Sequence, residues 1–170
     1  MKGFLMNKVF TNFCQKVKLV ITDVDGVLTD GGMYYSKEGE ILKKFNTRDG
    51  MAVELLLKSN IKTIFLTREK SEIVKKRAKK VNVAELYLGI RNKELILPKI
   101  CKKFNVTNNE IIYIGDDIND IEIMKMVGFS ACPRNANKDV VKISNYKCIA
   151  GGGEGVLREI ADIILSKKKN

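Results

Sequence analysis

The sequence contains no histidine and only four cysteines, and no two of the cysteines are spaced as a CxxC pair. Zinc sites are built mainly from histidine and cysteine, so these absences argue against a zinc centre and against histidine acid–base chemistry. Scattered cysteines favour reduced thiols, some of them in the core. The cysteines are Cys14, Cys101, Cys132 and Cys148.

The sequence also lacks an apolar run long enough to span a bilayer. Lysines interrupt the apolar part of residues 1–23, and no small-residue cleavage site follows it, which is not the pattern of a signal peptide. We therefore expect a lead-in helix or arm before the first strand, a cytoplasmic protein and no membrane partner.

Aromatic residues make up only 7% of the chain, although its net charge is +11. The lysines are spread along predicted helices, and only the terminal KKK forms a block. This distribution favours solvated helix faces, so we expect no nucleic-acid partner. A basic surface does attract small anionic substrates.

Short apolar runs alternate with helical patterns along the chain, whose length suits one domain over residues 1–170. Continuous β-branched runs predict strands that are buried on both faces. Their alternation with helices predicts an α/β fold, with a parallel sheet covered by helices on both sides. The predicted strands are VKLVITDVD, IKTIFLT, AELYLG, NEIIYIGDD, FSACP and a last strand at YKCIA.

Three local features carry more specific predictions. The stretch GMYYSKEGEILKKFN predicts a β-hairpin with Gly39 in its turn. Helical spacing in GMAVELLLKSN predicts a helix that ends at Asn60. Pro98 is expected to weaken the middle of a helix in KELILPKICKKFN.

Acidic side chains stand at the carboxyl ends of the predicted strands. Asp23 and Asp25 end the first strand, and Asp116 ends the fourth. Ligands of parallel sheets bind beyond these ends, so the carboxylates are expected to meet in one crevice, where their repulsion would be strongly destabilising. A divalent cation resolves the repulsion, and oxygen ligands without histidine or thiolate favour Mg²⁺. The same loop continues with Asp117, Asn119 and Asp120.

The pair of aspartates predicts phosphoryl transfer. Side chains two apart on a strand point to the same side, so Asp23 and Asp25 can both face the crevice. One carboxylate can ligate the metal and attack phosphorus, while the other protonates a leaving oxygen and later deprotonates water. Gly26 permits a sharp turn, and Thr67 and Lys93, near the next strand ends, supply donors for phosphoryl oxygens. Each residue alone is explained by a solvated turn, a cap or a surface charge; their order along the chain favours a site.

The motifs DVDGVLTD, FLT, Lys93 and GDDIND resemble the haloacid dehalogenase superfamily of phosphatases. Within it, the chain is similar to the small capless group that includes 3-deoxy-D-manno-octulosonate 8-phosphate phosphatase. Three further stretches carry that similarity, and the resemblance spans approximately residues 18–165. They are TDGGMYYSKEGEILKKFNTRDG, EIVKKRAKKVNVAELYLGIRNK and GGGEGVLRE.

This resemblance implies a Rossmann-like sheet with a β-hairpin flap in place of a cap domain. It also implies a homotetramer in which hairpins pack together and a neighbouring subunit closes each active site. Asp23 would be the nucleophile that forms an aspartyl-phosphate, and Asp25 the general acid/base, with its backbone carbonyl on Mg²⁺. Asp116 would be the remaining metal ligand, while Thr67 and Lys93 would hold the phosphoryl group. Asp117 and Asp120 would orient these groups.

The implied substrate is a 2-keto-3-deoxy sugar acid phosphate, of lipopolysaccharide or sialic acid biosynthesis. One departure from the family's motif concerns the number of carbon atoms in this substrate. Where the octulosonate enzymes usually show TGR after the second strand, this chain has Thr67, Arg68 and Glu69, which is closer to enzymes of nine-carbon keto acid 9-phosphates. The GGGEG segment would be a mobile tail near a neighbour's site. The implied substrate contacts are Asp25, Asn46, Thr47, Arg48, Asp49, Gly50, Glu69, Arg77 and Lys93; surface charge alone would also explain Arg48 and Arg77.

Two other functions are compatible with these residues. Related domains fused to sugar-nucleotide synthetases serve as tetramerisation modules, although a full set of catalytic residues argues against pure scaffolding. Phospho-acceptor receiver domains also use acidic residues, threonine and lysine on a parallel sheet. They need neither Asp25 nor the hairpin.

Overall fold

The computed structural model describes residues 11–168, and six parallel strands form its sheet. The sheet order is β5-β4-β1-β6-β7-β8, and β2 and β3 form a separate antiparallel pair. Along the chain these strands are β1 (Leu19–Thr22), β2 (Tyr34–Ser36), β3 (Gly39–Leu42), β4 (Lys62–Leu66), β5 (Glu85–Tyr87), β6 (Ile111–Ile114), β7 (Phe129–Cys132) and β8 (Tyr146–Lys147). The predicted α/β fold with a parallel sheet and a hairpin is confirmed.

Strand β1 lies at the centre of the sheet. Its last residue, Thr22, pairs with Phe65 of β4 on one side and Ile114 of β6 on the other. The carboxyl ends of β1, β4 and β6 therefore meet at one edge. This register brings together the polar residues that follow each of the three strands.

Helices cover both faces of the sheet. Val20 of β1 packs into the same buried cluster as residues of α2, α3 and α7, whereas Leu19 and Ile21 pack into a second cluster with residues of α4, α5 and α6. Alternate residues of the strand thus serve two cores, as expected for a strand buried on both sides. The helices are α1 (residues 11–16), α2 (Thr47–Lys58), α3 (Glu72–Val81), α4 (Leu97–Phe104), α5 (Ile121–Met126), α6 (Lys138–Ile143) and α7 (Val156–Lys168).

The local predictions need two corrections. Gly39 is the first residue of β3, opposite Ser36, so the hairpin turn lies just before it. Pro98 lies in the first turn of α4, where its missing N–H has no intrahelical partner to lose, so the helix begins there rather than weakening. Helix α2 ends at Lys58 with Ser59 as its cap, so Asn60, the predicted end, lies one residue beyond the cap, in a left-handed conformation.

The remaining expectations concern the termini and the thiols. Helix α1 supports the predicted lead-in helix over residues 11–16, and residues 1–10 of that prediction lie outside the described residues. No helix between residues 11 and 168 combines the length and the apolarity needed to cross a bilayer. All four cysteines are free thiols, and three of them are buried.

Candidate active site

The turn after β1 brings both aspartates of the first motif into one cleft. Strand β1 ends at Thr22, so Asp23 and Asp25 lie beyond it, and the turn rather than strand alternation directs them. Gly26 makes this turn with a φ of +89°, and a Cβ at that position would lie 2.1 Å from Oδ2 of Asp116. Glycine is therefore required both for the conformation and for the close approach of Asp116.

The cleft has a volume of about 280 Å³ and opens at the carboxyl ends of the central strands. Loops after β1, β4 and β6 contribute most of the predicted catalytic, phosphate-binding and metal-binding residues to this cleft, whereas Lys93 does not line it. Its lining residues are Asp23, Asp25, Gly26, Gly31, Met33, Thr67, Arg68, Glu69, Asp116, Asp117 and Asn119.

Lys93 meets Asp23 from behind the cleft. Its ammonium lies 2.9 Å from Oδ1 of Asp23 and 2.7 Å from Oδ1 of Asp120, and its side chain is completely buried. Burial raises the pKa of Asp23 well above its usual value, and Asp120 adds to this while Lys93 opposes it. Burial acts to lower the pKa of Lys93, but the two carboxylates outweigh it and raise the pKa overall.

Asp120 is held by four donors. Its Oδ1 accepts from Lys93 and from the hydroxyl of Tyr113 at 2.6 Å. Its Oδ2 accepts from the backbone N–H groups of Asp116 at 3.0 Å and Asp117 at 3.4 Å. A carboxylate offers about four acceptor positions, so these bonds occupy Asp120 and suit it to orienting its neighbours.

Asp23 and Asp116 fit a divalent cation. Carboxylate oxygens of Asp23, Asp116 and Asp120 lie within 4.8 Å of one another, and Asp120 is already occupied by its donors. Oδ1 of Asp116 is buried and has no hydrogen-bond partner within residues 11–168. Burial, followed by the charges of Asp120 and Asp117, raises the pKa of Asp116 to about 7. A cation at these oxygens would give Oδ1 of Asp116 a partner and would reduce the repulsion between the carboxylates.

Thr67 presents its hydroxyl at the end of β4. The residue is almost fully buried, and its backbone N–H is bonded to the carbonyl of Tyr87 at 3.0 Å. Its Oγ1 accepts from the backbone N–H of Glu69 at 3.1 Å. A hydroxyl has one proton to donate, and this arrangement leaves that proton for an oxygen in the cleft.

Comparison with known proteins agrees with this geometry. The family model for haloacid dehalogenase-like hydrolases matches residues 56–160. The chain is 34% identical over 151 residues to the 3-deoxy-D-manno-octulosonate 8-phosphate phosphatase KdsC of Salmonella typhi, covering 89% of this chain and 80% of that protein. The chain belongs to the haloacid dehalogenase superfamily.

Solved structures place it within the capless group of that superfamily. The 3-deoxy-D-manno-octulosonate 8-phosphate phosphatase of Moraxella catarrhalis, solved with a magnesium ion, a phosphate ion and a KDO molecule, is 31% identical, with a TM-score of 0.92 over 97% of this chain and 94% of that chain. The cobalt-bound enzyme of Haemophilus influenzae is 33% identical, with a TM-score of 0.90 over 92% of each chain. This member of the superfamily is therefore a phosphoric monoester hydrolase of the kind typified by KdsC.

A second buried lysine was missed by the sequence analysis. The ammonium of Lys43, just after β3, lies 2.6 Å from Oδ1 of Asp25 and 2.7 Å from Oε1 of Glu40. Burial acts to lower the pKa of Lys43, but the hydrogen bonds to Asp25 and Glu40 outweigh it and raise the pKa. No motif distinguishes Lys43 from Lys44, so the sequence carried no signal for this pair.

In the structure, some of the predicted sugar contacts line the cleft and others do not. Glu69 lines the cleft, but residues 46–50 and Arg77 do not. The side chain of Asn46 caps α2, and that of Asp49 accepts from the N–H of Arg158 at the start of α7. Arg77 donates to the carbonyl of Asn46 at 2.9 Å. Their contact with a sugar stays a prediction.

The glycine segment of this family member packs on its own chain. The N–H of Gly153 donates to the carbonyl of Val27 at 2.9 Å, and a Cβ at Gly152 would lie 2.1 Å from the carbonyl oxygen of Gly26. The segment thus packs against the turn that carries Asp25 and supports it. Helix α7 follows it and packs into the core, which differs from the expected mobile tail.

Proposed function

We propose that this chain is an Mg²⁺-dependent phosphatase of a 2-keto-3-deoxy sugar acid phosphate, of the 3-deoxy-D-manno-octulosonate 8-phosphate type. The observation that carries the proposal is the position of Asp23. Its carboxylate lies against Lys93 and Asp116 at the floor of a cleft that Asp25 and Thr67 also line. A nucleophile, an acid/base and donors for the phosphoryl oxygens are thus within one site.

The reaction has two steps. A carboxylate oxygen of Asp23 attacks phosphorus, the bond from phosphorus to the leaving oxygen breaks, and Asp25 gives its proton to that oxygen. The sugar acid leaves as an alcohol, and Asp23 holds the phosphoryl group. Water then attacks phosphorus and gives a proton to Asp25, which releases inorganic phosphate and restores both carboxyl groups. In both steps Thr67 would donate to the phosphoryl oxygens from the cleft wall, and Lys93 would donate to them from behind Asp23, where its ammonium is paired with Asp23 and Asp120.

Magnesium would be held by the carboxylates of Asp23 and Asp116 and the backbone carbonyl of Asp25. When bound, Mg²⁺ supplies positive charge that balances the carboxylates and polarises a phosphoryl oxygen. The unpaired, buried Oδ1 of Asp116 and the all-oxygen donor set support a hard cation.

A nine-carbon substrate is the second candidate. Arg68 and Glu69 both line the cleft, in the positions where the octulosonate enzymes usually have glycine and arginine. A carboxylate in place of a guanidinium accepts hydrogen bonds from a sugar where the arginine would donate them. This difference supports a 2-keto-3-deoxynononate or acylneuraminate 9-phosphate.

A homotetramer is part of the proposal. The hairpin and the loop before it expose five large apolar side chains, and exposed apolar groups of this kind mark contacts between proteins. A neighbouring subunit packed on the hairpin would close the open side of the cleft and exclude water from it. These side chains are Met33, Tyr34, Tyr35, Ile41 and Leu42.

A hydrolysis panel tests the proposal. Purified protein is assayed with the eight-carbon and nine-carbon keto acid phosphates and with 4-nitrophenyl phosphate, each with Mg²⁺ and with EDTA. We expect metal-dependent phosphate release, with one keto acid phosphate preferred by kcat/KM. A tetramer that releases no phosphate from any of the three would support the tetramerisation module instead.

A variant of Asp23, the proposed nucleophile, tests the same proposal. Asp23→Asn should lower kcat by at least about 10⁴-fold, because an amide does not form the phosphoryl-enzyme. Asp30→Asn is the control, since Asp30 is exposed and lies in the same loop but outside the cleft. Substantial hydrolysis by Asp23→Asn would show that another group attacks phosphorus.

A further inference from the structure

Lys43 occupies a position that is unusual for lysine. Its side chain is 0% exposed, whereas that of the next residue, Lys44, is 71% exposed. Lysine is almost never fully buried unless it is paired, because removing an ammonium from water is costly. The contacts that compensate this burial indicate what the side chain does.

Lys43 joins three elements of the molecule. It bonds Asp25 in the turn after β1 at 2.6 Å and Glu40 in the hairpin at 2.7 Å. The other oxygen of Glu40 accepts from the hydroxyl of Ser71, which also caps α3 by accepting from the N–H of Val74 at 3.3 Å. The ammonium that holds Asp25 is therefore itself anchored, through Glu40, to Ser71 at the start of α3.

The two oxygens of Asp25 differ. Oδ1 accepts from Lys43, while Oδ2 is buried and has no hydrogen-bond partner among the residues that the structure describes. The residue lines the cleft next to Asp23. One oxygen is thus fixed by Lys43, and the other has no partner in the described part of the protein.

We infer that Lys43 is a positioning residue for catalysis: it holds one oxygen of Asp25 so that the other faces the leaving oxygen of the substrate. The inference rests on the proposed function, since it assigns Lys43 a role in the proton transfer by Asp25. It gives the hairpin a part in the chemistry, because Glu40 of β3 holds the ammonium in place.

Leaving-group dependence separates this role from a structural one. A sugar phosphate loses a strongly basic alkoxide and needs the proton of Asp25, whereas 4-nitrophenolate is weakly basic and leaves without it. Lys43→Met should therefore lower kcat/KM for the preferred keto acid phosphate by about 100-fold, and for 4-nitrophenyl phosphate by less than about threefold. The ratio of the two values, measured on one preparation, is independent of the fraction of folded enzyme.

The aryl substrate gives a second signature. Its first step is little changed in Lys43→Met, but water attack on the phosphoryl-enzyme still needs Asp25 as a base. We expect kcat and KM for 4-nitrophenyl phosphate to fall together, which a simple loss of folded protein would not produce. Lys44→Met is the matched control and should leave both substrates unchanged, since Lys44 is exposed and lies 3.8 Å from Asp30.

A double-mutant cycle completes the test. If Lys43 acts through Asp25, Lys43→Met should change kcat/KM for the keto acid phosphate by less than about threefold in an Asp25→Asn background. Equal losses for both substrates, or a full loss that persists in Asp25→Asn, would overturn the role of Lys43 alone. A wild-type protein that hydrolyses neither substrate would overturn the proposed function and this role with it.

Discussion

Two buried lysines stand behind the two aspartates of the first motif. Lys93 bonds Asp23 and Asp120, and Lys43 bonds Asp25 and Glu40. Each ammonium is fully buried and is shared between one carboxylate of the cleft and one carboxylate outside it. The motif therefore has two halves, and in each half one ammonium is paired with two carboxylates, which leaves a negative excess when both are ionised.

The halves differ in how they are anchored. Asp120 is fully buried and is held by Tyr113 of β6 and by backbone N–H groups of the loop after it. Glu40 belongs to the hairpin, and its side chain is 16% exposed. The half with Asp23, the proposed nucleophile, is thus built into the central sheet, whereas the half with Asp25, the proposed acid/base, depends on the hairpin. Removing either lysine should show this difference.

The largest effect is expected for Lys93→Met. It leaves Asp23 and Asp120 buried without their shared cation, and breaking a buried pair in this way costs about 3–5 kcal/mol. Lys43→Met should cost about 1–3 kcal/mol, because Asp25 and Glu40 are partly reached by water. The free energy of unfolding is measured by urea denaturation at pH 7.5 with EDTA present.

Lys99→Met is the control for this pair, since Lys99 is exposed on α4 and should change stability by less than about 0.5 kcal/mol. If Lys43→Met costs as much stability as Lys93→Met or more, the pair anchored in the hairpin is not weaker than the pair anchored in the central sheet.

Asp49 shows what a buried carboxylate does without a lysine. Burial raises its pKa to about 6, against the hydrogen bond from the N–H of Arg158, and its Oδ2 has no partner in the described part of the chain. The folded protein holds this proton more tightly than the unfolded chain does. The stability contributed by Asp49 is therefore greatest below pH 3.8 and is lost as the pH rises to about 6.

The rise from 3.8 to about 6 corresponds to about 3 kcal/mol. Asp49→Asn keeps an acceptor for Arg158 and has no charge to bury. We expect the variant to gain about 3 kcal/mol relative to the wild type between pH 4 and pH 7, measured as the difference between their urea unfolding curves. A difference that is constant over this range would contradict a raised pKa for Asp49.

A smaller effect is expected for Tyr113→Phe. It removes one donor from Asp120, and a hydrogen bond to a charged group contributes about 2 kcal/mol. Tyr87→Phe is the matched control, because the hydroxyl of Tyr87 is buried without a hydrogen-bond partner in the described residues. Its removal should leave stability unchanged or slightly increased, as measured by thermal unfolding. Similar losses in both variants would mean that the bond to Asp120 contributes nothing.

Much of the fold could be predicted because its signals are local. Continuous β-branched runs identified the strands of the sheet, and the hairpin followed from alternation around a turn. The two errors, at Gly39 and Pro98, concern where an element begins. Such boundaries depend on packing as well as on the residue itself.

The site could be predicted only in part. Asp23, Asp25, Thr67 and Asp116 carry motifs at strand ends, and parallel strands bring such ends together. Residues 46–50 also carry a motif, but in the structure Asn46 caps α2, Asp49 accepts from the N–H of Arg158, and none of the five residues lines the cleft. A motif indicates that residues matter and does not say which surface they face.

The sequence by itself determined the order of strands and helices and the residues that end the central strands, because backbone periodicity and turn chemistry act over a few neighbours. Only the tertiary structure decided which of two adjacent lysines is buried, and that each aspartate of the first motif has its own ammonium. These contacts join residues 18 to 70 positions apart, and their free energy depends on the burial that packing creates.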